Sequence, residues 1–335
     1  MDVLVIGGSV FLGRAVVEEA LARGDRVTVF NRGLSGTTPP GVEQVRGDRT
    51  DAADVEQLAG RRFDLVVDTC GYVPADVALS ARVLSPHVGF YAFVSSINAY
   101  PGWPRHLDYA ERGVHDGDPD ATRDNIPEGM QEPDPYGWLK VGCERAVTRA
   151  FGERRSVLRA GLIVGPHDRA IGRLPWWIDR IARGGEVLVP GSPGDPVALV
   201  DARDLARFAL SGVAGEFETP GRAGDTRDDV VSACRAATGS DAGFTYVADD
   251  WLAEQGVEPW TEVPLWIPPG EGPAVFRPHG DAAAAAGLSW RPLTETVADT
   301  WEWQRSLDPP WTPAERTPGL APDREAELLH AWKHS

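Results

Sequence analysis

The chain has 335 residues, with 33 Lys and Arg against 50 Asp and Glu, for a formal net charge of −17 at pH 7. So negative a chain repels phosphate backbones, and no local basic patch offsets it, which argues against a nucleic-acid partner. Charged residues at 25% and hydrophobic ones at 42% fit a folded globular chain, not a disordered one, and at this length a core needs neither disulfide nor metal staples.

In chain order, residues 2–6 are a short apolar run ending in Gly-Gly, followed by an amphipathic stretch over 11–23: strand, glycine turn, helix. Strands are predicted over 26–30, 42–45, 63–67 and 88–94, with helices near 54–58 and 75–84. A helix over 136–150 and a strand over 156–164 follow. Such alternation predicts an α/β fold, a doubly wound parallel Rossmann sheet covered on both faces by right-handed crossovers. Residues 97–135 break the pattern with a stretch rich in Asp, Glu, Pro and Gly, read as a solvated loop or, over 108–134, a lid. The Rossmann domain is placed at 1–165, and segments near 197–219 are expected to return to its sheet. From 166 to 335 the alternation loosens into Trp- and Pro-rich segments, which predicts a smaller, irregular substrate-side domain. A terminal helix over 323–333 is expected to dock back.

Cys70, Cys143 and Cys234 lie far apart with no metal-ligand or CxxC spacing, so neither disulfides nor a metal site is expected. The opening MDVLVIGG lacks a basic leader, and no stretch approaches ~18 uninterrupted apolar residues. A cytoplasmic protein without a membrane span is the expectation.

Four features carry chemistry. The run Gly7-Gly8-Ser9-Val10-Phe11-Leu12-Gly13 lies where a strand turns into a helix, so free N–H groups and the positive end of the helix dipole can meet a pyrophosphate. Val10 occupies the place of a middle glycine. At the end of the second strand, Asn31 and Arg32 stand where a carboxylate would accept the ribose hydroxyls of NAD. An arginine there can clamp a 2′-phosphate, which favours NADP over NAD, although a solvated turn arginine is the plainer reading. Asp48 either accepts from an adenine amino group or caps the next helix.

Tyr136-Gly-Trp-Leu-Lys140 puts a phenol and an ammonium on one helix face, where the charge would lower the phenol's pKa from about 10 toward a working acid–base. Lys140 and Lys333 are the chain's two lysines, so this spacing is unexpected by chance. The strand ending Val94-Ser95-Ser96 presents a hydroxyl at the carboxyl edge of the sheet, where ligands of such folds bind.

On GGSVFLG, VSSINAY, YGWLK, LRAGLIVGP (158–166) and VDARDLA (200–206), the chain resembles the extended short-chain dehydrogenase/reductases, the NAD-dependent epimerase/dehydratase group, over residues 1 to about 215. The resemblance implies Ser96, Tyr136 and Lys140 as the catalytic set, with Lys140 also on the nicotinamide ribose. It implies a cofactor site built from Gly7, Ser9, Val10, Phe11, Leu12, Gly13, Asn31, Arg32, Asp48, Arg49, Thr69, Cys70 and Gly71, with Gly161 and Leu162 near the carboxamide. Substrate contacts are expected from Asn98, His167, Asp168 and Trp176. Ile97-Asn98 stand where sugar dehydratases carry an Asp-Glu pair, so dehydration lacks its acid and base.

These readings point to an NADP-dependent oxidoreductase, with NAD as the alternative cofactor, acting on a small polar alcohol, ketone or sugar-like substrate. A sugar epimerase with retained cofactor and a non-catalytic dinucleotide- or RNA-binding module are the alternatives. Helices 75–84 and 136–150 pair subunits in related enzymes, which implies a homodimer.

Overall fold

The computed structural model describes all residues except 103, 105–112, 129, 131–133, 269–278 and 316. Its main sheet is parallel and contains β1 (Asp2–Ile6), β2 (Arg26–Asn31), β3 (Glu43–Arg46), β4 (Phe63–Asp68), β5 (Val88–Ser96), β6 (Arg155–Ala160) and β10 (Gly215–Thr219). The order is β10-β6-β5-β4-β1-β2-β3, so the winding reverses between β1 and β4 and opens a crevice at their carboxyl ends. Strand alternation divides the core. Val3 and Val5 join α1 (Phe11–Ala22) and α6 (Ala202–Ala209) on one face, while Leu4 and Ile6 join α2 (Ala52–Glu56), α3 (Pro74–Leu84) and α4 (Asp134–Phe151) on the other.

The strand expected over 156–164 is two. At Gly161 the N–H bonds the Thr219 carbonyl at 3.2 Å, and a Cβ there would lie 3.1 Å from Pro220 Cα. The chain then leaves the sheet, and β7 (Leu162–Val164) pairs with β9 (Leu199–Asp201). Of the segments expected to return, only 215–219 rejoins the main sheet. The part beyond 166 is regular rather than irregular. There α5 (Arg173–Ala182), α7 (Arg227–Thr238) and α10 (Leu293–Arg305) surround a core of their own with paired β8 (Glu186–Pro190) and β11 (Gly243–Val247). Short α8 (Asp249–Glu254) adds Leu252 to this core, whereas α9 (Asp281–Ala285) packs on β10 and places Ala283 in the core of the main sheet.

The terminal helix α11 (Pro322–Trp332) does dock. Its buried Glu325 accepts from Arg180 Nε at 2.6 Å and from the Leu188 backbone N–H of β8 at 3.0 Å.

The acidic stretch is not a free loop where it is described. Residues 113–126 form a strap across α3 and α4. The Ala75 N–H donates to the Ala121 carbonyl at 3.0 Å, Arg145 donates to Asp116 at 2.6 Å, and Arg149 grips both oxygens of Asp120 at 2.8 and 3.0 Å. Within the expected lid, 108–112, 129 and 131–133 lie outside the described residues.

Missing side chains allow α4 to sit this close. A Cβ on Gly137 would overlap the Asn98 carbonyl, one on Gly142 the Asp118 carbonyl, and one on Gly117 the Trp138 carbonyl. Backbone therefore rests on backbone, which brings Tyr136 to the end of β5. Gly137→Ala should cost about 1–3 kcal/mol, the usual range for overpacking, and depress turnover by moving Tyr136 from Ser96. Chemical denaturation and steady-state rates check this; an unchanged midpoint would mean that α4 shifts freely.

Candidate active site

The glycine loop is packed tightly against its own strands and helix. Gly7 and Gly8 have φ of 109° and 83°, and Cβ atoms on them would lie 2.7 Å from Thr69 Oγ1 and 2.8 Å from Val29 Cγ1. A Cβ on Gly13 would lie 2.6 Å from the Gly8 nitrogen, so α1 begins directly against the loop. Val10 caps α1 with an ordinary extended φ of −138°, which explains why no glycine is required there. The unusual backbone falls instead on Phe11, at φ 41°.

Beside this loop lies a cleft of about 340 Å³, lined by Gly7, Ser9, Val10, Asn31, Arg32, Asp48, Arg49 and Cys70 among the residues read from sequence. The same cleft exposes Val10 (46%), Leu34 (77%) and Tyr72 (49%), which apart from Met1 are the exposed large hydrophobics among the described residues. Apolar surface gathered at one mouth marks a ligand site. With the glycine cradle and the start of α1, it fits a dinucleotide, the cleft taking the adenosine end. Sequence reading missed Leu34, Tyr72, Asp76 and Arg123 on its walls. Tyr72 directly follows the strand-end residues singled out, and reading that edge one residue further would have found it.

Several side chains are engaged otherwise than expected. Asn31 donates to the Gly7 carbonyl at 2.8 Å and accepts from Gly33 N–H at 3.0 Å and Gln44 Nε2 at 2.8 Å, so its amide ties the glycine loop to β2 instead of facing a ribose. Arg49 donates to both oxygens of Asp68 at 2.8 and 3.0 Å and to Ser80 at 3.1 Å. Burial opposes the Asp68 charge, yet Arg49 and the Tyr91 hydroxyl at 2.8 Å hold its carboxyl below the usual range. Asp48 binds the backbone and hydroxyl of Thr50, which keep its carboxyl low. Arg32 is largely exposed, 3.9 Å from Asp48. Thr69 Oγ1 donates to the Ile6 carbonyl at 3.1 Å. Leu12 and Leu162 are buried in their cores.

Ser96 and Tyr136 come together. Ser96 Oγ donates to Asn98 Oδ1 at 2.9 Å and accepts from the Asn98 N–H at 3.2 Å, and it lies near enough to the Tyr136 phenol to favour its charged form. Asn98, expected on the substrate, thus orients Ser96. Lys140 departs from the sequence reading. Its buried ammonium donates to the carbonyls of Gly71 and Val94, both at 2.8 Å, over the Phe93 ring at 4.4 Å. An ammonium has three donors, so one N–H is left for a ribose hydroxyl. Lys140 therefore does not lower the Tyr136 phenol; burial raises it, partly offset by Ser96. Burial lowers the Lys140 ammonium.

The remaining substrate expectations do not converge on this pair. Trp176 is buried, edge-on to Trp177 at 5.0 Å, and a Cβ on Gly319 would overlap its ring. Asp168 is buried and accepts from the Ile171 N–H at 3.1 Å in its own loop. His167 has φ 69° and lies edge-on to Trp303 at 5.5 Å; burial, then Arg14, Arg169 and Arg203, disfavour its charge.

The model of the NAD dependent epimerase/dehydratase family matches residues 3–90, the glycine loop and first strands. Along the sequence, the chain is 28% identical over 336 residues to a dTDP-6-deoxy-L-talose 4-dehydrogenase (NAD(P)(+)) of Kitasatospora kifunensis, covering 90% of this chain and 95% of that one. It is also 28% identical over 236 residues to a 2-alkyl-3-oxoalkanoate reductase of Stenotrophomonas maltophilia, covering 67% and 68%. Its fold is that of a UDP-glucose 4-epimerase from Thermus thermophilus, with a TM-score of 0.62 at 21% identity over 91% of this chain and 99% of that one.

A phenol raised by burial stays protonated through neutral pH. If Tyr136 is the acid in ketone reduction, that rate should stay flat from about pH 6 to 9 and fall only near or above a free tyrosine's pKa of about 10. Alcohol oxidation, which needs the phenolate, should rise with pH over the same range. Rate profiles in both directions check this; a reduction limb falling near pH 7 would mean that the phenol is lowered after all.

Proposed function

We propose that the protein is an NADP-dependent oxidoreductase that interconverts a ketone and an alcohol on a small polar or sugar-like molecule. The observation that carries this reading is the placement of Tyr136 beside Ser96 at the carboxyl end of β5, where Asn98 fixes the serine. It shares the sheet edge with the glycine loop. The two sequence relatives are named as a 4-dehydrogenase and a reductase, which agrees with carbonyl chemistry. An exposed Arg32 in the cleft, with no carboxylate at position 31, favours a 2′-phosphate.

In this reading NADPH supplies the hydride. Tyr136 keeps its proton because partial burial disfavours the phenolate, and passes it to the substrate oxygen as that oxygen gains charge. Ser96, fixed by Asn98, sits beside the phenol at the strand end. Lys140 joins the strand-end carbonyls of Gly71 and Val94, which sets the spacing between the ends of β4 and β5 and leaves one donor for the ribose.

Tyr136→Phe should reduce turnover by at least about 10²-fold with cofactor affinity nearly intact. Ser96→Ala should lower kcat, whereas Ser95→Ala should mainly lower stability, because the buried Ser95 hydroxyl donates to Glu144, away from Ser96. A fully active Tyr136→Phe enzyme would sink the mechanism. For the cofactor, Arg32→Ala should weaken NADPH about 10- to 150-fold and NADH little, the range of one charge-assisted hydrogen bond. Wild type binding NADH as tightly as NADPH would make NAD the cofactor. Net NADPH oxidation with added ketone separates this activity from an epimerase, which returns its hydride.

A further inference from the structure

The adenosine-end cleft has a wall that neither the glycine loop nor β2 supplies. It comes from the strap, which runs across α4 and α3 and ends in a short 3-10 turn, Arg123–Asn125. Arg123 lines the cleft beside Val73 and Asp76 of the α3 entrance, whereas Arg32 lines it from the end of β2.

We propose that Arg123 is a second anion-binding residue of this site, acting with Arg32 on a phosphate carried by the adenosine ribose. The proposal rests on the NADP reading above and adds a residue that the resemblance does not assign.

Two sets of observations support it. First, the strap is anchored where an arginine on it would be held in place. Ala121 is fully buried, and Arg145 donates to the Gly117 carbonyl at 2.9 Å. The 3-10 turn is fixed at its start, since Thr122 Oγ1 accepts from the Asp124 N–H at 3.3 Å and Asn125 Oδ1 from the Thr122 N–H at 2.7 Å. Second, no carboxylate in the cleft closes an ion pair with Arg123 among the described residues. Arg49 is matched by Asp68, and Oδ1 of Asp48 is taken by Thr50. Arg123 itself makes no hydrogen bond or ion pair among the described residues. Its acidic neighbour Asp76 attracts it from beyond ion-pair distance and is attracted by Arg49 as well. A guanidinium offers five donors in a planar fork suited to phosphate oxygens.

The test compares ligands that differ by one phosphate. Binding of 2′,5′-ADP, 5′-AMP, NADP+ and NAD+ is measured by calorimetry for the wild type, Arg123→Ala and Arg123→Gln, with thermal denaturation to confirm that the variants fold. The expected result is 2′,5′-ADP weakened about 10- to 100-fold in both variants, with 5′-AMP changed by no more than about twofold. Equal losses for both ligands would assign Arg123 to the adenine ring or to the fold and overturn the proposal. A wild-type preference for 2′,5′-ADP that survives in both variants would overturn it while leaving the NADP reading intact. No wild-type preference would end the NADP reading itself, and the proposal with it.

Discussion

The site depends on how closely α4 approaches the rest of the chain. Helices ordinarily meet through side chains, at interaxial distances of about 8–10 Å. Here Gly137 and Gly142 present bare backbone to the Asn98 and Asp118 carbonyls, and Gly117 does the same toward Trp138. Three consequences follow from this one packing constraint. Tyr136 reaches Ser96, Lys140 reaches the carbonyls of Gly71 and Val94, and the strap is pressed onto α3, where it carries Arg123 to the cofactor cleft. The same helix face continues to Glu144, which receives the Ser95 hydroxyl and a charge-assisted hydrogen bond from Arg159 Nη2 at 2.8 Å. One helix therefore connects the candidate site, the buried polar network behind it and the cleft beside the glycine loop.

Burial, more than residue type, decides what each ionisable group can do. Arg32 and Arg49 both end strand-edge segments and both line the cleft. One stays exposed, while the other is locked to a buried carboxylate whose loss would leave an unpaired charge inside the protein. The phenol and ammonium of Tyr136 and Lys140 are each pushed toward their neutral forms by burial. This gives a protonated tyrosine suited to donate, rather than the phenolate that a neighbouring ammonium would favour.

The alternation of short apolar runs with amphipathic stretches made the first half of the fold legible. Period-2 and period-3.6 patterns report which face is buried, and the sheet from β1 to β6 follows them. The glycine loop was legible as well, because a strand-to-helix turn demands φ values that few residues other than glycine adopt. The second half was not. Its core forms between α5, α7, α10 and a two-stranded sheet whose partners, β8 and β11, lie more than fifty residues apart, and local periodicity carries no record of such pairing. The break at Gly161 was hidden because the apolar run continues through it while the chain changes sheets.

By itself the sequence determined the class of fold and the residue types of the candidate site: serine, tyrosine and lysine at fixed spacings, and glycines at the start of the first helix. These are local properties, set by backbone conformation and side-chain chemistry. Tertiary structure alone decided where the side chains point and what they meet. It turned Lys140 toward two carbonyls, Asn31 toward the glycine loop and Trp176 into the core, and it brought a residue from the acidic stretch to the cofactor cleft. Those outcomes depend on contacts between segments distant in sequence, where burial and competing partners determine which hydrogen bonds form.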